Sequence, residues 1–308
     1  MMSIKSLNKL QGLMLVRIFG GLKMAQAKSQ IQYEEGMFKT NDGLNLYEQR
    51  WQPGKQPKAV IVIIHGYAEH SGRHVHVADY LVNHGYTVET FDLRSHGRSE
   101  GKNTHIRSFD EFLSDVDLFL KRVKERHPNK NLFLLGHSMG GTIAVLFAIT
   151  RKPDLKGIIL TGATLKISDE ISPFLVRISS ILGKLVPKLP TIKIDCNAIS
   201  RDPEVVKKYD NDPLVYRGGI PARTGAEFTR ATKLIQKQME FVTLPLLILS
   251  GTADRLSDPE GSKQLYEQAQ SKDKTLKLYD GFYHEILNEL EKERVLADIV
   301  EWLEVHVQ

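Results

Sequence analysis

The chemistry in this chain is concentrated around one serine. Gly136-His137-Ser138-Met139-Gly140 follows the apolar run Leu132-Phe-Leu-Leu135 and precedes the helix-like stretch 142–149. A serine between a buried strand and a helix, with glycine two residues away on each side, fits a sharp turn that projects its hydroxyl. Any larger side chain at the glycines would strike the neighbouring strand or helix. The helix N-terminus beneath such a serine also favours a developing oxyanion.

A serine hydroxyl is a weak nucleophile until a base takes its proton, and the base needs an acid to hold its tautomer. Beyond residue 250 the only histidines are His284 and His306. His306 lies two residues from the end of the sequence, where a solvated histidine is the ordinary reading. His284 follows Tyr279-Asp-Gly-Phe-Tyr283, a turn just after a strand, and is the candidate base. Asp254 comes just after Leu246-Leu-Ile-Leu-Ser250 and Gly251, which makes it the candidate acid, whereas Asp258 precedes Pro259 and reads as a helix cap. Two backbone N–H groups complete the set: Met139, the residue after the nucleophile, and Tyr67, in the loop that follows the earlier apolar run Ala59-Val-Ile-Val-Ile-Ile64.

These residues require a scaffold, and the remaining sequence supplies the pattern of one. Residues 37–51 alternate around Asn41-Asp42-Gly43, a hairpin signal. Residues 59–64 are apolar and β-branched throughout, as in a strand buried on both faces of a parallel sheet. The spacing predicts helices near 73–84, 109–126, 139–150, 259–269 and 291–306. Strands alternate with them at 86–91, 131–135, 157–160, 246–250 and 275–279. This is a doubly wound, mostly parallel α/β sheet, the α/β-hydrolase fold when read with the serine turn. Between 163 and 240 the alternation lapses, with Pro173, Pro187, Pro190, Pro203, Pro213 and Pro221 and an acid-free, aliphatic stretch from 171 to 190. We read 163–240 as an inserted, mainly helical cap, with core segments at 34–162 and 241–308. Most of its apolar residues pack on the core, and a minority face a lipid substrate or membrane.

Composition narrows the class. The 308 residues, 41% hydrophobic and 26% charged, suit a folded domain with an ordinary core. Cys196 is the sole cysteine, which excludes an intramolecular disulfide and a thiol zinc cluster and favours a reducing, cytoplasmic setting. The net charge of +5 comes from Lys5, Lys9, Arg17, Lys23 and Lys28 in an acid-free segment 1–33; the remainder balances, so nucleic acid is not an expected partner. That leader places Ile4, Leu7, Met14, Ile18 and Leu22 on one helical face with lysines opposite, a pattern suited to an anionic membrane surface. Gly12, Gly20 and Gly21 weaken such a helix, and a non-native leader before a second start at Met24 is the competing reading. Arg17 interrupts the apolar stretch that a secretion signal needs. No uninterrupted run of 18 apolar residues exists in the sequence.

Several blocks in register carry a resemblance. His65-Gly-Tyr-Ala-Glu-His-Ser-Gly-Arg73, Phe91-Asp-Leu-Arg-Ser-His-Gly-Arg-Ser99, Gly136-His-Ser-Met-Gly-Gly141, Asn211-Asp-Pro-Leu214, Gly251-Thr-Ala-Asp254 and Tyr283-His284 are together similar to the monoacylglycerol lipase family, from about residue 37 onward. The resemblance implies hydrolysis of monoacylglycerols to fatty acid and glycerol without metal or organic cofactor, in a monomer or homodimer whose cap docks peripherally on membranes. It also implies that Glu69, Arg73 and Tyr209 line the polar end where glycerol sits. An ion pair of Glu69 and Arg73 that holds the oxyanion loop, and cap packing for Tyr209, are the competing readings. Three departures bear on alcohol preference. Ser95 replaces a usual glycine, Leu287 stands where some relatives have a second histidine, and Ser257 stands where some have a cysteine. A lysophospholipase or broad carboxylesterase is therefore the alternative, with an acyltransferase or a catalytically silent binding protein more remote.

Overall fold

The computed structural model describes residues 31–166 and 181–307. Residues 1–30 of the leader and the first half of the aliphatic stretch 171–190 lie outside the described residues. Eight strands form one sheet in the order β1-β2-β4-β3-β5-β6-β7-β8. These are β1 (Gln32–Lys39), β2 (Asn45–Gln52), β3 (Val60–Ile64), β4 (Thr87–Phe91), β5 (Leu132–His137), β6 (Gly157–Thr161), β7 (Leu246–Gly251) and β8 (Lys274–Tyr279). The β1–β2 and β2–β4 pairs are antiparallel and all others parallel. The hairpin starts earlier than its apolar pattern suggests, at Gln32, within the segment assigned to the leader. Tyr33 pairs across the ladder with Trp51 and packs on its ring at 5.3 Å, so cross-strand contact rather than local alternation extends the strand.

The apolar run of β3 is explained by what covers it. Successive side chains of a strand point to opposite faces, and both faces here carry helices. Val60, Val62 and Ile64 share a cluster with Phe112, Val116 and Phe119 of α2 (Phe109–Arg126) and with Ile143 and Phe147 of α3 (Met139–Arg151). Ile61 and Ile63 share the other with Val77 and Leu81 of α1 (Val75–Asn83) and Leu296, Ile299 and Leu303 of the closing helix Lys292–His306. Each fully buried side chain of this kind stabilises the fold by about 1.5–3 kcal/mol. Ser108 and Glu111 form a reciprocal capping box that starts α2 where the pattern predicts.

Topology decides where a site can form. The connection from β3 through α1 leads to β4 on one side, while that from β5 through α3 leads to β6 on the other, with the two helices on opposite faces. The strand order reverses between β3 and β5, and in an open α/β sheet that is the place where a crevice forms beyond the carboxyl ends of the strands. The loop after β3 and the turn after β5 border it.

Among the described residues, the interval between β6 and β7 carries helical residues 181–185, α4 (Pro203–Asn211) and α5 (Ala222–Gln236), joined by stretches without strands of the main sheet. Its last helix belongs as much to the core as to a cap, because Ala231 and Ile235 are buried in the same cluster as Ile143 and Phe147 of α3. The segment before it reaches the crevice through backbone bonds: Tyr216 N–H donates to Ala68 O at 2.9 Å, and Glu285 N–H to Ile199 O at 2.7 Å.

Candidate active site

Ser138 occupies the single residue between β5 and α3, with φ 52° and ψ −117°. This left-handed backbone is costly for a residue with a Cβ, and the surroundings hold it in place. Its N–H donates to Thr161 O on β6, and its carbonyl accepts from Gly141 and Thr142 in the first turn of α3. The two glycines are explained by close approach. A Cβ on Gly140 would overlap the carbonyl oxygen of Ile64, and one on Gly136 would lie 2.5 Å from Gly140 O.

The other predicted members arrive from loops at the same edge of the sheet. His284 Nε2 lies 2.8 Å from Ser138 Oγ, and His284 Nδ1 lies 2.8 Å from Asp254 Oδ2. Asp254 sits just past β7, and its Oδ1 accepts from the N–H groups of Leu256 and Ser257 at 2.8 and 2.9 Å. The carboxylate is thus oriented before it meets the imidazole. Asp258 caps the helix α6 (Pro259–Gln268) by accepting from Glu260 N–H. His306 stacks on Trp302 and pairs with Asp273 at the end of the closing helix. Burial disfavours the imidazolium of His284, but Asp254, with Glu285 and Glu69 behind it, outweighs burial and raises its pKa above the ordinary imidazole value. A base of this kind is strengthened for taking the serine proton.

Met139 is the first residue of α3 and so has no intrahelical acceptor for its N–H. Tyr67 lies in the loop after β3, its hydroxyl hydrogen-bonded to Thr104 Oγ1 at 2.6 Å. His65, quoted in the sequence only as part of a motif, has a specific place here. Leu93 N–H donates to His65 Nε2 at 2.9 Å, which leaves the ring proton on Nδ1, 2.7 Å from Gly66 O. Burial lowers its pKa to about 3, so it stays neutral. That carbonyl belongs to the same planar peptide as the Tyr67 N–H, and the histidine therefore sets the direction of the donor.

Glu69 and Arg73 are both near the crevice and both engaged. Glu69 Oε1 accepts from Gly66 N–H at 2.6 Å and lies 3.2 Å from His74 Nε2, while Oε2 accepts from Arg73 Nη1 at 2.8 Å. Arg73 also forms a two-pronged pair with Glu285, at 2.6 and 2.7 Å, and its guanidinium lies 4.7 Å from the centre of the Tyr209 ring. Burial opposes ionisation of Glu69, but His74 and Arg73 hold it well below the usual carboxylate range. The geometry matches the ion-pair reading of Glu69 and Arg73. Glu285 is absent from the sequence-derived site, and the available signal was only a carboxylate adjacent to His284.

A serine, histidine and aspartate in hydrogen-bonded order, borne on loops past β5, β8 and β7 of a mostly parallel sheet, define a serine hydrolase of the α/β-hydrolase fold. Residues 55–291 match the family described as serine aminopeptidase, S33, and the chain belongs to that family. Its relatives include a monoacylglycerol lipase of Mycolicibacterium smegmatis, 37% identical over 86% of this chain and 95% of the relative. The monoglyceride lipase of Homo sapiens is 36% identical over 81% of this chain and 82% of the relative. Among solved structures, the monoacylglycerol lipase of Paleococcus ferrophilus superposes with a TM-score of 0.75 at 32% identity, covering 89% of this chain and 99% of its own.

Proposed function

We propose that the chain hydrolyses monoacylglycerols to fatty acid and glycerol through an acyl-Ser138 intermediate. The observation that carries the ester chemistry is the continuous hydrogen-bonded relay from Ser138 through His284 to Asp254. The acylglycerol assignment is supported by relatives that bear that name and match over more than four fifths of the chain. The family description names an aminopeptidase, an activity that needs a free carboxylate to hold the substrate's ammonium group. Glu69, Glu285 and Asp254 are all committed to partners, which favours a neutral ester.

In the reaction, Ser138 Oγ attacks the ester carbonyl carbon as His284 Nε2 takes its proton, and Asp254 stabilises the imidazolium. The N–H groups of Tyr67 and Met139 receive the oxyanion, each such donor being worth about 3 kcal/mol in related chemistry. The carbon–oxygen bond to glycerol breaks as His284 returns the proton to the departing oxygen. Water then attacks the acyl-serine and gives its proton to His284, which passes it to Ser138 Oγ as the acyl–oxygen bond breaks and the fatty acid leaves. Glu69 and Arg73 shape the oxyanion loop, with Tyr209 over the guanidinium at the alcohol side.

A parallel assay of 1-oleoylglycerol, lysophosphatidylcholine and p-nitrophenyl butyrate tests this reading. We expect kcat/KM for the acylglycerol to exceed that for the lysophospholipid by at least about tenfold, roughly 1.4 kcal/mol of transition-state discrimination. Equal values across the three would make the chain a general esterase.

The cap also supports peripheral membrane contact. Ile181, Leu185, Val186, Leu189 and Ile192 are exposed, interspersed with exposed Lys184, Lys188 and Lys193. Apolar side chains flanked by lysines suit insertion into an anionic interface. We expect Leu185→Asp with Ile192→Asp to reduce co-sedimentation with phosphatidylglycerol vesicles by about tenfold or more, while hydrolysis of soluble p-nitrophenyl butyrate is unaffected. Unchanged sedimentation would remove the cap from this role. Among the described residues no helix is long and apolar enough to cross a membrane.

A further inference from the structure

The two loops that must cooperate in the reaction are joined by a buried chain of charges. Gly66 N–H is held by Glu69, Glu69 by Arg73, and Arg73 by both oxygens of Glu285, the residue next to His284. Glu285 is 3% exposed and Glu69 2%. Asn288 Nδ2 donates to Glu285 Oε2 at 2.9 Å, and the Glu285 N–H is tied to Ile199 O, so neither end of this residue is loose. Two carboxylates share one guanidinium, with His74 Nε2 3.2 Å from the far oxygen of Glu69, so Glu285 is the carboxylate of the pair nearer the imidazole in sequence.

We infer that Glu285 is a positioning residue for hydrolysis: through Arg73 and Glu69 it locks the His284 loop to the Gly66–Tyr67 peptide, and its charge stabilises the His284 imidazolium. The inference rests on the triad reading above. Removing the Glu285 carboxylate disturbs base and oxyanion donor together, although Glu285 meets neither reacting atom. A two-pronged guanidinium–carboxylate pair specifies direction as well as distance, so it transmits position more strictly than a packed apolar contact. Buried ion pairs of this kind add little net stability, which makes geometry the better account of its presence.

The groups facing His284 are Asp254 from the loop after β7, Glu69 from the loop after β3, His137 from β5, and Glu285 on its own loop. Arg73 reaches this set through its pairs with both glutamates. Burial lowers the pKa of His137 to about 4, leaving it neutral, and His74 joins this set from behind Glu69, its Nε2 3.2 Å from Glu69 Oε1.

The test is Glu285→Gln and Glu285→Asp, read by kcat, KM and the pH dependence of kcat/KM on a soluble ester. For Glu285→Gln we expect kcat to fall by about tenfold with KM within about twofold, and the acidic limb of the pH profile to move down by about half a unit. The direction follows from the charge: with one less carboxylate, His284 loses its proton at lower pH. Glu285→Asp retains the charge but is too short to span to Arg73, so kcat should fall while the limb stays in place. A wild-type kcat in Glu285→Asp, or a wild-type kcat and limb in Glu285→Gln, overturns the role; so does a loss expressed only in KM. Glu285→Asp decides the matter even if Glu285→Gln fails to fold. Ser138→Ala in parallel separates the two readings. If it retains activity the triad falls, whereas an inactive Ser138→Ala beside a wild-type Glu285→Gln removes only the positioning role.

Discussion

Ser138→Ala is expected to lower kcat for 1-oleoylglycerol by roughly 10⁵–10⁶-fold without loss of fold, because members of a serine triad act as a unit and loss of the nucleophile removes almost all of their joint effect. Among the described residues no other hydroxyl is hydrogen-bonded to His284. The Ser138 hydroxyl is the group placed 2.8 Å from His284 Nε2, at the mouth of the helix whose first N–H is free for the oxyanion. Alanine also relieves no strain, since φ of 52° is as costly with its methyl group as with the serine side chain. Melting temperature should therefore change little while fatty-acid release disappears. Retention of more than about a hundredth of the activity would mean that another residue supplies the nucleophile.

Asp254→Asn carries the second large effect, a fall in kcat of about 10⁴-fold. The asparagine must choose an orientation, and the backbone makes the choice. Leu256 and Ser257 both direct N–H groups at Oδ1, so the amide oxygen takes that position and its NH₂ turns toward His284. Facing a donor, Nδ1 must accept, and the ring proton moves to Nε2. Ser138 then meets a donor where it needs a base. Asp258→Asn is the control, because Asp258 caps α6 and pairs with Lys166 rather than with His284, and its loss should cost activity little. A loss below tenfold in Asp254→Asn, or a larger loss in Asp258→Asn, would reassign the acid.

The scaffold was legible because burial imprints itself locally. Residues 59–64, 132–135 and 246–249 are apolar on both faces, and each contributes to a strand covered by helices on both sides. Helix 109–126 is bounded as the pattern predicts because its capping box lies within four residues. The placement of Ser138, His284 and Asp254 followed from their positions within five residues of the ends of strands, where the fold leaves side chains free to converge.

Contacts between distant segments were not legible. The tautomer of His65 depends on the N–H of Leu93, brought alongside only by parallel pairing of β3 with β4. Glu285 meets Arg73 across 212 positions of sequence, and nothing near either residue announces the pair. The early start of β1 rests on Tyr33 meeting Trp51. The resemblance made Glu69 and Arg73 look like alcohol ligands, and only the geometry reveals that both oxygens of Glu69 are already occupied.

The most direct test of the central claim is covalent. The active protein is treated with a fluorophosphonate, digested, and its peptides mapped by mass spectrometry. The triad reading predicts one phosphonyl adduct, on the peptide containing Gly136-His137-Ser138-Met139-Gly140 and at Ser138, appearing in step with loss of acylglycerol hydrolysis. An adduct at another serine, or full inactivation with Ser138 unmodified, would contradict it.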